Sequence, residues 1–353
     1  MNVNRRQFGL LSAAAATACK TTDLQSQSGR RLAVSTASYM IRQRLSRKAS
    51  TPSNVPVFRD PIHFLEHCRG LGAGGLQVGV RGWENANLAK RLREKAEAHD
   101  MILEGQVRLP KSDQATEEFS RSILAAKEAG VKILRCVMLS GRRYETFPNV
   151  AKWKQFTKDS WTWLTRAEPI ARKHRVMLAL ENHKDWRIDE MTDILRRLSS
   201  EHVGVNLDTG NNISLLEHPM KVAEALAPYT VTVHLKDMGV QEYQDGFLLS
   251  EVPLGEGFLD IQRIIRICEK ARSDVQFNLE MITRDPLKIP CLTRKYWQTF
   301  ADLRGSVLAE FLSMVRKNQS TRLPRIAGMS PAEQIAFEEA NNRKCFDWFS
   351  RNA

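Results

Sequence analysis

A chain of 353 residues, 42% hydrophobic and 26% charged, has an ordinary globular composition and room for one large barrel or two smaller domains. No apolar run reaches the roughly 18 residues of a membrane-spanning helix, and no internal repeat or low-complexity block is present. The net charge of +13 is scattered, densest at Arg42-Gln43-Arg44-Leu45-Ser46-Arg47-Lys48. No RNA-binding or helix-turn-helix signature accompanies that run, so it reads as a solvated basic loop and nucleic acid is not an expected partner.

Residues 1–19 stand apart. Asn4-Arg5-Arg6-Gln7-Phe8 precedes a short, weakly apolar stretch and an alanine run ending at Cys19. Twin arginines, an apolar stretch and small residues before a cut describe an export signal, here similar to the bacterial twin-arginine type. That route carries folded proteins, which suits one that acquires a metal in the cytoplasm, and it points to a periplasmic location. Ala16-Thr17-Ala18-Cys19 also resembles a lipoprotein cleavage box, which makes Cys19 a candidate lipid anchor at the membrane. Loss of Arg5 and Arg6 with the signal leaves a charge of +11. The remaining cysteines, Cys68, Cys136, Cys268, Cys291 and Cys345, form no C-x-x-C pair and read as buried thiols.

After a linker at 20–30, apolar stretches alternate with helical patterns. Strands are predicted at 31–39, 75–80, 101–107, 132–139, 176–183, 203–209, 231–237 and 275–282. Between them, Asp60-Pro61 caps a helix running to Gly70 or Gly72. Further helices are predicted at 84–99, 112–129, 151–174, 189–200, 218–228, 258–272 and 299–317. Eight strand–helix units over residues 31–320 imply right-handed crossovers and a closed (β/α)₈ TIM barrel. No G-x-G-x-x-G follows the first strand, so a dinucleotide site is not expected. Residues 321–353 form a C-terminal helical extension, opened by the capping box Ser330-Pro331-Ala332-Glu333. The connections 239–257 and 283–298 are long, as loops that cover a site tend to be.

The last four strands carry the chemistry. They end in Leu180-Glu181-Asn182-His183, Leu207-Asp208-Thr209-Gly210, Val233-His234-Leu235-Lys236 and Asn278-Leu279-Glu280. Side chains alternate across a strand. The aliphatic set (Leu178 and Leu180, Val205 and Leu207, Val233 and Leu235, Phe277 and Leu279) must meet the helices. Glu181, His183, Asp208, His234, Lys236 and Glu280 therefore point into the barrel, at the strand ends where barrel enzymes place their sites. Three converging carboxylates without a neutraliser repel by several kcal/mol in a low-dielectric site. One divalent ion relieves this. Two Glu, one Asp and one His suit Mn²⁺ best, with Mg²⁺, Co²⁺ or Zn²⁺ as alternatives.

These motifs resemble the xylose isomerase-like barrels, in particular the sugar phosphate isomerase/epimerase group that includes ketose 3-epimerases. The resemblance covers residues 31–320 and is sharpest in the second half. It implies Glu181, Asp208, His234 and Glu280 as metal ligands. Pro253-Leu-Gly-Glu-Gly-Phe-Leu-Asp260 is similar to the group's Gly-x-Gly-x-x-Asp segment, and Gly72-Ala-Gly-Gly-Leu-Gln77 to its entry into strand two. Two departures stand out: Asn211 where ketose epimerases tend to carry His, and Val240 where they tend to carry Arg.

The resemblance implies a metal-dependent isomerase or epimerase acting on a sugar through an enediolate. Glu181 and Glu280 would move the proton, and His183, Asn211 and Lys236 would contact substrate oxygens, Lys236 being alternatively a partner of Asp208 or Glu280. Export argues against phosphorylated cytoplasmic intermediates. Because related barrels cleave or hydrate 3-keto-glycosides, a lyase or hydratase is the alternative. An apurinic-site endonuclease needs extra His and Glu ligands on the early strands, where only Glu104 is available. A non-catalytic sugar-binding barrel is the remaining reading. The oligomeric state is not legible.

Overall fold

The structure, a computed structural model, describes residues 30–47, 56–58, 60–84, 86–300 and 302–353. The twin-arginine segment, Cys19 and nearly all of the linker lie outside the described residues.

Eight parallel strands close into a barrel. In chain order they are β1 (Ala33–Ser35), β2 (Gly75–Gly79), β3 (Ile102–Gln106), β4 (Ile133–Cys136), β5 (Met177–Glu181), β6 (Val203–Asp208), β7 (Thr230–Leu235) and, after two strands outside the barrel, β10 (Gln276–Leu279). Neighbours in space follow the chain, and β10 closes the ring against β1. The intervening helices are α1 (Met40–Ser46), α2 (Pro61–Gly70), α3 (Ala86–Ala98), α4 (Asp113–Glu128), α5 (Arg143–Thr146), α6 (Val150–His174), α7 (Ile188–Leu198), α8 (Pro219–Leu226), α9 (Ile261–Ala271) and α10 (Gly305–Lys317). A final helix, α11 (Pro331–Asn352), forms the extension. Its capping box is made as the sequence requires, with Ser330 accepting from Glu333 N and Glu333 from Ser330 N.

The aliphatic face of each strand packs outward: Leu178, Leu180, Val205, Leu207, Val233, Leu235 and Leu279 are all buried in one core. The inward face is polar. Gln77, Glu104, Asn206, Thr232 and Asn278 fill the lumen and hydrogen-bond to one another. Each of these buried side chains thus has at least one hydrogen-bond partner, which lowers the cost of burying it.

Three expectations need correction. The stretch 31–39 is not one strand: it leaves the sheet at Ser35, turns through a 3₁₀ segment (Thr36–Tyr39) and enters α1. Arg42 to Ser46 of the basic run lie in α1 rather than in a solvated loop, and Lys48 lies outside the described residues; Arg42 is buried on Glu339 (2.8 Å) and Arg44 bonds Gln334 (2.7 Å). The long connections 239–257 and 283–298 hold an antiparallel sheet of β8 (Asp237–Tyr243), β9 (Gly246–Val252) and β11 (Leu287–Ile289). Gln244-Asp245 is the turn, with Tyr243 paired to Gly246. An Asp-Gly pair between apolar-alternating runs is a hairpin signal. The five described cysteines are free and buried.

The extension fastens the end of the barrel where β1 and β10 finish. From α11, Glu338 accepts from Ile41 N (2.6 Å), Asn342 donates to Ser38 O (2.9 Å) and Asn341 to Thr283 Oγ1 (3.0 Å). These are the segments that follow β1 and β10.

Candidate metal centre

Glu181 is the last residue of β5, Asp208 the last of β6, His234 the penultimate of β7, and Glu280 follows β10 directly. Parallel register aligns these ends: Asp208 pairs with His234, and Glu280 N continues the ladder onto Leu235 O (3.0 Å). Ser38 holds both sides of Glu280, donating to Leu279 O (2.7 Å) and accepting from Met281 N (3.0 Å). The result is one buried cluster: a ligand atom from each of the four residues lies within 4.8 Å of every other.

The donor atoms are oriented. His234 Nε2 donates to Gln77 Oε1 (2.7 Å), and Gln77 is fixed in turn by Gln106 (2.9 Å) and by its own bond to Glu104 (3.0 Å). The imidazole's other nitrogen, Nδ1, is buried without a hydrogen-bond partner. It faces Glu280 Oε1 at 3.1 Å, Glu181 Oε2 at 3.4 Å and Asp208 Oδ2 at 4.0 Å. Asp208 Oδ1 accepts from Gly210 N and Asn211 N (2.9 and 2.8 Å), which aims Oδ2 into the same space. Three carboxylate oxygens and an imidazole nitrogen held toward one point fit a divalent cation, and the bonds from Gln77, Gly210 N and Asn211 N fix the orientation such ligands need.

The carboxylates are already partly neutralised by cations, Lys236 among them as a partner of Asp208 and Glu280. Arg135 of β4 bonds Glu181 Oε2 through Nε (2.5 Å), and Lys236 lies against Asp208 (2.7 Å) and Glu280 (2.6 Å). Burial raises the Glu181 pKa, but Arg135, then His234 and His183, outweigh it and bring it to about 2. Glu280 follows the same pattern: burial opposes ionisation, and His234 and Lys236 hold it well below the usual range. For Asp208 burial prevails over Lys236, and its carboxyl rises to about 6. His234 is opposed by burial but raised by Glu280 and Glu181. Glu181 and Glu280 are thus held ionised, whereas Asp208 and His234 are the two groups shifted toward their protonated forms.

The proposed substrate-contact residues lie at the same mouth. His183 Nδ1 bonds Leu139 O (2.9 Å), leaving Nε2 4.0 Å from Glu181; burial brings the ring down to about 4. Asn211 donates to Glu181 Oε1 (3.0 Å) and accepts at Oδ1 from Lys236 (3.4 Å) and Lys184. Val240 lies inside β8 opposite Leu249, so an arginine's role is not reproduced there.

Sequence reasoning missed five residues. Gln77 and Arg135 were legible, since each is polar between apolar strand neighbours and so faces inward. Lys184 was not: alternation from Glu181 sends it outward, but β5 stops at Glu181 and Lys184 adopts a left-handed backbone, φ 63°. Glu251 of β9 and Arg284, bonded at 2.5 Å, depend on a hairpin read as loop. Glu251 reaches Lys236 at 4.0 Å.

A barrel with this ligand set at its strand ends defines a class, and residues 65–299 match its family model; the chain belongs to the xylose isomerase-like TIM barrel family. A curated relative, 3-oxo-isoapionate decarboxylase of Pectobacterium atrosepticum, is 26% identical over 235 residues, covering 65% of this chain and 78% of that protein. Among solved structures, a D-tagatose 3-epimerase-like protein superposes with a TM-score of 0.53 at 14% identity, over 81% of this chain and 98% of the other. A xylose isomerase-like TIM barrel protein from Mycobacterium smegmatis, in complex with magnesium, gives 0.52 at 16% identity, over 80% and 98%. At these identities the structural likeness speaks to fold.

Proposed function

We propose that this protein is a divalent-metal-dependent enzyme that converts a keto-sugar through an enediolate, as an isomerase or epimerase. The observation that carries the reading is the convergence of Glu181 and Glu280 with Asp208 and the unpartnered Nδ1 of His234. A bound divalent ion would supply Lewis-acid polarisation of the substrate carbonyl and its neighbouring hydroxyl. The chain's residues do the rest. Glu181 or Glu280 takes the proton from the carbon beside the carbonyl, and the other returns it. Arg135 and Lys236 keep both carboxylates ionised and oriented. Asn211 and Lys236 present hydrogen-bond donors to sugar oxygens. His183, neutral and with Nε2 toward the mouth, is an acceptor for a substrate hydroxyl.

A lyase is the second reading. Asn211 replaces the imidazole expected of a ketose 3-epimerase, and the curated relative is by name a decarboxylase. Elimination and decarboxylation pass through the same kind of enolate: in elimination the pair left by the departing proton expels a neighbouring substituent instead of being reprotonated, and in decarboxylation the pair comes from the bond to the departing carbon dioxide.

Proton NMR in deuterium oxide tests the proposal. Ketoses, 3-keto-glycosides and keto-sugar acids are incubated with Mn²⁺-reconstituted protein. Deuterium entering the carbon beside the carbonyl supports the isomerase reading, and loss of a substituent or of carbon dioxide supports the lyase. No metal-dependent change in any keto-sugar contradicts both.

A further inference from the structure

Lys184 is buried, 5% exposed, at the mouth of the barrel. Among the described residues no carboxylate lies within ion-pair distance of its ammonium; its hydrogen bond goes to the amide oxygen of Asn211, which Lys236 shares. A buried cation normally has a counter-charge. The backbone is bent to put it there. Lys184 is one of few non-glycine residues at positive φ among those described, and Asp185 locks the turn by accepting from His183 N (3.1 Å), Trp186 N (2.8 Å) and Leu139 N (3.2 Å). Strain held this firmly beside a site is a reason to look for a ligand.

The charges around it make the same point. The contacts at the mouth link four carboxylates, Glu181, Asp208, Glu251 and Glu280, with four cations, Arg135, Lys184, Lys236 and Arg284. With Asp208 ionised and His234 neutral, as ligation of a metal requires, these eight side chains balance before a divalent ion is counted. Resting on the metal-dependent reading above, a loaded site has a surplus of two positive charges in a buried volume. An enediolate answers one of them, and a neutral sugar leaves the other unanswered.

We propose that Lys184, with Arg284 beside it, binds a carboxylate of the substrate, so that the enzyme acts on an acidic keto-sugar in preference to a neutral one. Lys184 provides the unpaired ammonium. Arg284 lies within electrostatic reach of it and keeps its side chain 22% exposed. Glu251 holds that guanidinium through Nε (3.1 Å) and one terminal nitrogen. Its planar fork and always-charged state suit a carboxylate.

Calorimetric titration of the full chain, without metal and with Mn²⁺, against D-xylonate and its neutral counterpart xylitol tests this. Both arms of the wild type are expected to favour xylonate by about tenfold or more, the scale of one charge-assisted hydrogen bond. Lys184→Met should bring the two ligands within about twofold, and Lys184→Arg should keep the preference. Lys184→Gln, which keeps a donor for Asn211, gives the same reading if the methionine variant fails to fold. Equal binding of the two ligands by wild type overturns the proposal, as does a preference that survives loss of the ammonium. A protein that binds Mn²⁺ yet treats both ligands alike contradicts the anion site alone. One that binds no metal but prefers xylonate through Lys184 contradicts the metal reading alone.

Discussion

At Glu181 and Glu280 the ligand and base roles separate when the charge is removed and an oxygen is kept. Loss of a general base lowers rate by about 10²–10⁴-fold, whereas loss of a ligand mainly weakens metal affinity. Glu181→Gln and Glu280→Gln, assayed at saturating metal, should show a large fall in turnover with KM nearly unchanged. Full recovery on adding metal would move the base to His183 or Lys236. The protonation states set a pH dependence. Asp208, raised to about 6 by burial despite Lys236, must lose its proton to ligate, and His234 must free Nδ1 from the proton that Glu280 and Glu181 favour. Metal binding therefore releases protons, and affinity should weaken as pH falls through 6, by about tenfold per pH unit for each proton released. Mn²⁺ titrations at pH 5, 6 and 7.5 measure it; a flat profile would mean these groups do not exchange protons for metal.

The elements around the ligands act through backbone. α11 bonds Ser38 O, and Ser38 clamps the residues on either side of Glu280. Ser38→Ala removes the clamp without touching a ligand. Its expected result is a roughly tenfold loss of Mn²⁺ affinity with the fold retained, the range typical of second-shell changes. Unchanged affinity would assign the clamp to stability alone. The segment before α9 works similarly. Gly255 N and Gly257 N donate to Asp237 Oδ2 (3.0 Å each) and Leu259 N to Oδ1 (3.1 Å), wrapping the residue after Lys236. A Cβ on Gly257 would sit 2.1 Å from Asp237 Oδ1, so Gly257→Ala must displace this loop. Urea unfolding should show a loss of about 1–3 kcal/mol, the scale of breaking a buried hydrogen-bonded group.

At the scale of the whole molecule, period-2 alternation in β5, β6, β7 and β10 made the barrel and the convergence of Glu181, Asp208, His234 and Glu280 readable, because burial on the outer face forces polar residues inward. The same rule failed where the chain ceased to be a strand. Lys184 turns inward on a left-handed residue, and Glu251 arrives on a hairpin that leaves the barrel. Arg135 and Lys236 show that charge balance is a property of the assembled strands, and no single segment displays it. The export signal is a separate proposal: Arg5→Lys with Arg6→Lys should retain precursor in the cytoplasm, and unchanged fractionation would contradict it. Everything else depends on the metal. Elemental analysis after reconstitution with Mn²⁺ should give about one equivalent for wild type and less than about one tenth for Asp208→Ala and His234→Ala, with circular dichroism unchanged. Wild-type protein that retains less than about one tenth of an equivalent of any divalent ion would contradict the account.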